Sequence, residues 1–577
     1  MARSTRRSSR KNSQPKKKHG LSRRGFLGSV GGLAAAAAAA GTGIVLEPLA
    51  GSPRSQLRAA DLGPLTPEQR RQRAFDIRVE AAQLAHDVPI PDHPTNGDED
   101  LYANKIGNYS KGLPHNSLGE VDVNAYNAML FALTSGDPED FENIPMGCSN
   151  PAEQRKLVNP QAGLAFDLQG TDSHQLAMPP APALASAWAA GEAVELYWMA
   201  HLRDVEFSDY SSNRVAQAAA LELSALSDFR GPRQGGFVTG QTLFRDDIPG
   251  ATAGPYISQF MLKPTPFGVE RIDRRMTTLR PGIEYATSFS DWLDLQRGCT
   301  PAQASEFDPV RRYIRTARDL AQWVHIDVLF QAYFNAALIL LHPPEAGGIG
   351  APLNPGNPYF ESATQDPFGT FGGPYLMTIL CEVATRALKA QWYQKWCVHR
   401  RLRPEAMGGR IHLHATNQAA YPLHSDILNS QALSRTFSLF GTGLLPQAYP
   451  EGSPLHPSYG AGHGTVAGAC VTVLKALFDE SFIVPDPVVP NTGGRQLVPY
   501  RGADAGSLTV GGELNKLASN VAVGRDMAGI HYRTEGIESF RLGEAVAISV
   551  LRDQRNTYNE DFGGFTFTRF DGSQITV

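Results

Sequence analysis

Apolar residues recur at three- and four-residue spacing between positions 181 and 230, in PAPALASAWAAGEAVELYWMAHLRD and VAQAAALELSALSDF, and this spacing predicts amphipathic helices. Upstream, from about 56 to 135, short helical patterns such as TPEQRRQRAFDIRVEAAQLAHD alternate with Pro, Gly and Asn loops. Glycine- and proline-rich loops run from Gly231 to about Pro309. The segment PVRRYIRTARDLAQWVHIDVLFQAYFNAALILL then becomes apolar on nearly every face after Leu320, which predicts a helix at the centre of a bundle. Further helices are predicted at about 373–400, 463–479, 511–530 and 536–554. No alternating β-branched run rivals them. The pattern therefore predicts a mainly α fold, a helical bundle with long Gly/Pro loops, because 56 glycines and 41 prolines are too many for a simple up-and-down bundle.

Charge divides the chain unevenly. The first 24 residues hold ten Lys or Arg and no acidic residue, and end in Ser22-Arg23-Arg24-Gly25-Phe26-Leu27 ahead of an Ala/Gly-rich apolar stretch reaching Leu46. That order reads as a twin-arginine export signal over residues 1–50, which implies a periplasmic or extracellular protein. A membrane anchor needs about 20 strongly apolar residues, and this stretch is mostly Ala and Gly. Beyond residue 50, 43 Lys and Arg face 56 Asp and Glu, a net charge of −13. Nucleic acid and anionic membranes are poor partners for such a surface, so any strongly basic site must be local and buried. The organisation expected is a helical and loop region over 51–309 followed by a catalytic helical region over 310–577.

Five cysteines are too few for a disulfide framework and are not spaced for zinc. Cys381, Cys397 and Cys470 fall within apolar helical patterns, as small core residues do. Cys148 and Cys299 lie in loop-like sequence and can pair after export.

Three segments place cations and histidines where the helical pattern asks for apolar residues. Lys395, His399 and Arg403 follow one another at four-residue spacing and share a face if the helix persists to Leu402. In HPSYGAGHG, small residues lead into a helix that opens at Gly462-His463, which aims backbone N–H groups and the positive helix end at one point. In NVAVGRDMAGIH, Arg525 and His531 are six apart, so Gly529 must turn His531 back toward the site. Asp327 is a carboxylate inside a very apolar stretch and needs a cation or several donors, and Arg525 or Arg403 is the expected partner.

Lys395 with Arg403-Pro404 eight residues on, then Gly462-His463 opening a helix, then Gly524-Arg525 with His531 six beyond, resembles the three-part signature of the vanadium haloperoxidases and the type 2 phosphatidic acid phosphatase superfamily. VHIDVLFQAYFNAALILL, HRRLRPEAMGGRIH and NVAVGRDMAGIHYRTEG are similar to the algal and cyanobacterial bromoperoxidases, and the resemblance is sharp over roughly 310–555. It implies a vanadate cofactor bonded through His531. Lys395, Arg403 and Arg525 then neutralise its oxygens, the Gly462 N–H donates to one of them, and His463 is the acid/base. The implied reaction oxidises halide with hydrogen peroxide and halogenates a small organic acceptor, with Lys395 also polarising the peroxide; the algal relatives imply a homo-oligomer.

His456, the third catalytic candidate beside His463 and Lys395, matches the bromoperoxidases, whereas Trp392 beside the site matches the fungal chloroperoxidases; the remaining text favours bromide. Ala461 stands where the haloperoxidases place a serine, so one hydroxyl donor is missing unless Ser458 or water replaces it. The same residues also suit an acid phosphatase working through a phosphohistidine at His531, or a substrate-specific halogenase or isomerase.

Overall fold

The computed structural model describes residues 65–577. Residues 1–50, read above as an expected export signal, lie outside the described residues. The helices include α1 (Pro67–Asp87), α2 (Val123–Ser135), α3 (Ala187–His201), α4 (Arg214–Ala225), α5 (Ala317–Trp323), α6 (Gln331–Leu341), α7 (Gly373–Tyr393), α8 (Pro404–Ala415), α9 (Gly462–Leu477), α10 (Val510–Met527) and α11 (Arg533–Arg555). Their ends carry ordinary signals. Thr66, Ser186 and Thr509 cap α1, α3 and α10 through side-chain oxygens, and Pro374 and Pro404 open α7 and α8. Among the described residues the sheets are three antiparallel two-stranded ones, β1–β2 (Thr265–Phe267, Glu270–Ile272), β3–β4 (Val488–Pro490, Leu497–Pro499) and β5–β6 (Thr566–Thr568, Gln574–Thr576). No described helix is long and apolar enough to cross a membrane.

Helix α9 is the axis of the core, with every residue except His463 buried. Glycines let its neighbour α11 approach closely. A Cβ at Gly468 would overlap the Phe540 backbone, and one at Gly543 the Thr465 carbonyl. This contact sets the start of α9, with Gly462 and His463, against the start of α11, which follows His531. The main hydrophobic cluster draws on both sides of residue 310, including Trp198 and Phe244 as well as Leu474 and Leu514.

Two expected helices differ in outcome. The apolar segment after residue 310 is not continuous, because α5 ends at Trp323 and α6 begins at Gln331. The intervening VHIDVLF carries β-branched residues of low helix propensity, and tertiary partners claim its polar groups: the Val324 carbonyl accepts from Arg525 and Asp327 reaches His463. The helix of 373–400 does persist, through a π-helical turn at Gln394–His399, but Arg400 at φ +37° ends it. Lys395, His399 and Arg403 therefore share no helical face. His399 packs edge-on against Tyr459, and Arg403 is the N-cap residue of α8.

Cys148 and Cys299 form a disulfide, while Cys470 is buried and Cys381 and Cys397 are half-buried thiols. Burial pushes the Cys397 thiol up to about 11. At pH 8 only about one thiol in a thousand is then the reactive thiolate. Unreduced protein is expected to show three thiols by colorimetric titration in denaturant and five after reduction. Native Cys397 should resist alkylation at pH 8 and gain reactivity tenfold per pH unit, which peptide mapping of iodoacetamide adducts measures.

Candidate active site

The end of α10 and the start of α11 place the central imidazole. Helix α10 carries Arg525 and stops at Met527; Gly529, at φ +86°, reverses the chain so that His531 turns back toward the core. His531 Nδ1 lies 2.5 Å from Glu535 Oε2, which also accepts from Ser458 Oγ at 2.8 Å and the Tyr532 N–H at 3.3 Å. An oxygen receiving those donors is an acceptor, so Nδ1 carries the proton. On the other side, Nε2 is 2.9 Å from Arg403 Nη1, a group able only to donate. Both contacts leave Nε2 with its lone pair facing the cations. Burial, then the charges of Arg403, Lys395 and Arg525, hold this imidazole well below its ordinary pKa and keep it neutral.

Three buried cations surround that nitrogen. Arg403 donates through Nε to the His456 carbonyl at 2.9 Å and through Nη1 to the Ile530 carbonyl at 2.8 Å, and its Nη2 meets His456 Nδ1 at 2.9 Å. Burial and the Arg525 charge lower it to about 10 against the pull of Glu535. Lys395, on the π-helical turn, donates to the Pro457 and Ser458 carbonyls at 2.7 and 2.8 Å, so a third N–H remains to be used. Burial, and next Arg403, push its pKa well below the ordinary lysine value. Arg525 donates to the Val324 carbonyl at 2.6 Å and leaves its buried Nε without a partner.

The opening of α9 completes the site. Ala461 occupies the N-cap position with no side-chain bond to the first turn. Its own N–H donates to Ser539 Oγ at 2.9 Å, and Gln391 Oε1 accepts from Ser539 and Thr465, so α7 and α11 brace this loop. A Cβ at Gly462 would stand 3.2 Å from the Trp392 ring, the same ring that packs 4.8 Å from His456. His463 points outward, its side chain 25% exposed, with Nε2 2.9 Å from Asp327 Oδ1.

Two expectations are corrected here. Asp327 braces His463 rather than Arg525 or Arg403, because the break between α5 and α6 swings it to the start of α9. Ser458 does not stand in for the missing serine, because its hydroxyl is donated to Glu535.

No protein-family model matches the chain. Among curated proteins it is 36% identical to the vanadium-dependent bromoperoxidases of Corallina pilulifera and Corallina officinalis, across 88% of this chain and 99% of each relative. It is 35% identical to that of Ascophyllum nodosum, across 89% of this chain and 93% of the relative. The chain belongs to the vanadium-dependent bromoperoxidase family. The fold agrees: the homohexameric second vanadate-dependent bromoperoxidase of Ascophyllum nodosum matches with a TM-score of 0.84 at 32% identity, over 93% of this chain and 94% of that one.

For a chain of this family, the residues that sequence reasoning missed stand behind the cations. Glu535 sits four residues after His531 at a helix start, a spacing that brings side chains together and was available as a signal. Arg401 bridges Glu535 and Glu192, and Arg533 pairs with Glu195 and Asp246. Glu192 and Glu195 interrupt an otherwise apolar α3, so the same cue that marked Asp327 marks them. Together these pairs fix the start of α11, and with it His531.

Proposed function

We propose that this chain is a vanadate-dependent bromoperoxidase that oxidises bromide with hydrogen peroxide and halogenates small organic acceptors. The observation that carries this reading is the neutral His531 Nε2, its lone pair held among Lys395, Arg403 and Arg525. These residues fit an oxyanion bonded through one nitrogen: the third N–H of Lys395, the orphaned Arg525 Nε and the uncapped first turn of α9 are all donors with capacity to spare. His531 would hold the metal, and the three cations with the Gly462 N–H would neutralise its oxygens. Bound vanadate supplies a Lewis acid that activates peroxide without a change in oxidation state.

The chain's own contribution is charge, orientation and proton transfer. Glu535 keeps the proton on His531 Nδ1 and the ring in place. His463, oriented by Asp327 and open to solvent on one side, moves a proton between the site and water. The Trp392 ring packs on His456, and His456 in turn meets Arg403, so this pair walls the site beside that cation. Vanadate-dependent bromination of a phenol by purified protein tests the reading; phosphate-ester hydrolysis with no bromination after vanadate addition would instead favour the phosphatase.

Two wider features belong to the same proposal. Export by the twin-arginine route is supported by the basic, paired-arginine and Ala/Gly-rich order of residues 1–46, and by a disulfide suited to an oxidising compartment. Self-association is supported by the homohexameric state of the solved relative.

Ala461 gives a direct measurement of the missing hydroxyl. A serine at this N-cap can accept from first-turn N–H groups, worth about 1 kcal/mol of stability. It can also donate to the oxyanion, and a hydrogen bond to a charged group is worth about 1.5–3 kcal/mol. Ala461→Ser is expected to bind vanadate roughly tenfold more tightly in equilibrium dialysis. A raised melting temperature with unchanged vanadate affinity would show that capping consumes the hydroxyl.

A further inference from the structure

Lys111 and Glu405 form a buried ion pair that the site described above does not use. Lys111 Nζ lies 2.7 Å from Glu405 Oε1 and donates to the Glu451 and Ser453 carbonyls at 3.0 and 2.7 Å, which occupies all three N–H groups of an ammonium. Glu405 Oε1 also accepts from Gln296 Nε2 at 2.6 Å, and its Oε2 accepts from the Ser453 N–H at 2.5 Å. The turn at Glu451–Ser453 is thus clamped onto the start of α8. Gly452 permits the close approach: its φ is +61°, and a Cβ there would stand 1.9 Å from Glu405 Oε2.

The clamped turn leads directly into the carbonyls that hold two of the cations. The His456 carbonyl accepts from Arg403, and those of Pro457 and Ser458 accept from Lys395. The segment that carries Lys111 is fastened in its turn. The Tyr109 N–H donates to the Arg400 carbonyl, the Gly112 N–H to that of Gln296, and the N–H of Gly147, beside the disulfide, to that of Gly112. A buried ion pair is weak evidence for stability, since desolvation cancels much of its attraction. What this pair supplies is position, through three donors that converge on one turn.

We propose that Lys111 is a positioning residue for the oxyanion site, holding the Glu451–Ser453 turn on α8 so that the carbonyls of residues 456–458 keep Lys395 and Arg403 in place. The inference rests on the reading of those two cations as part of an oxyanion cradle. Lys111 itself touches no ligand. Burial, against the attraction of Glu405, lowers its pKa to about 8, so at pH 6.5 it is an ammonium with all three donors. The same turn reaches the proton-transfer pair, because the Glu451 carboxylate lies 2.6 Å from Nε2 of His325, two residues before Asp327.

Equilibrium dialysis of vanadate and of inorganic phosphate at pH 6.5 tests this with variants of unchanged net charge. Lys111→Met with Glu405→Gln leaves no unpaired buried charge, so its melting temperature is expected at or above that of the wild type. It is nevertheless expected to bind both anions about tenfold more weakly, as loss of a supporting partner does. Lys111→Gln with Glu405→Gln returns N–H donors to the turn without charge and is expected to bind between that variant and the wild type. Wild-type affinity in the Met variant, or a Gln variant no tighter than the Met one, overturns the positioning role and leaves the oxyanion reading intact. A wild type that binds neither anion overturns both. Hydrogen exchange on the wild type decides the matter if the variants fail to fold. Coupling is reciprocal, so saturating phosphate should raise protection of the Ser453 amide, which donates to Glu405, by more than that of the α2 amides. An equal rise in both overturns the coupling.

Discussion

His531→Ala protein is expected to bind no vanadate and to brominate at background, while Glu535→Gln binds vanadate about 10–100-fold more weakly than wild type. The first result follows from removing the nitrogen that would hold the metal, Nε2 of His531, which faces Arg403. The second follows from geometry behind the ring. Glu535 Oε2 accepts from His531 Nδ1, Ser458 Oγ and the Tyr532 N–H together. A neutral amide offers one acceptor and one donor there, so the ring is held less firmly and Nε2 is less basic. A Coulomb effect of opposite sign also operates, because loss of a carboxylate beside three cations favours any oxyanion. Inorganic phosphate separates the two, since it is held in the resting site by charge and hydrogen bonds alone. Competition dialysis should therefore show weaker vanadate and equal or tighter phosphate in Glu535→Gln. Parallel loss of both ligands would mean that Glu535 supports the fold of the site rather than the basicity of His531.

The bundle was legible because its apolar spacing runs over many residues. The predicted 463–479 and 511–530 helices match Gly462–Leu477 and Val510–Met527 to within three residues at each end. The turn at Gly529 was legible for a different reason: two functional residues six apart cannot share a straight helix, and glycine is the residue that permits the reversal. Periodicity failed where tertiary polar contacts outweigh local preference. The β-branched residues of WVHIDVLFQAYF mark the break only weakly, and the groups that reward it, Arg525 and His463, lie 201 and 136 residues away. Arg400 in the left-handed region was equally hidden, since its conformation is rewarded by the Glu99 ion pair some 301 residues away. The partners of buried charges follow the same rule. Sequence shows that the buried carboxylates of Asp327, Glu192 and Glu195 need partners, but it pointed Asp327 to Arg525 or Arg403 where the fold supplies His463.

Asp327→Ala is expected to lower the bromination rate about 10–100-fold and to leave vanadate affinity within about threefold, because general acid–base groups contribute roughly 10²–10⁴ and an unbraced imidazole forfeits part of that. Asp327 Oδ1 lies 2.9 Å from His463 Nε2 and makes no hydrogen bond to Arg403 or Arg525. Those guanidiniums are held by carbonyls instead, Val324 for Arg525, His456 and Ile530 for Arg403. The proton-transfer pair is thus anchored by the segment between α5 and α6 and the vanadate cradle by Glu535 and the end of α10, and the two meet where the Val324 carbonyl of that segment holds Arg525. Asp327→Asn preserves an acceptor oxygen for the ring and should fall between wild type and alanine in rate. The informative comparison is affinity against turnover in the same preparation. A loss of vanadate affinity beyond tenfold in Asp327→Ala would show that the segment transmits through Val324 to Arg525, and that the two anchors act as one.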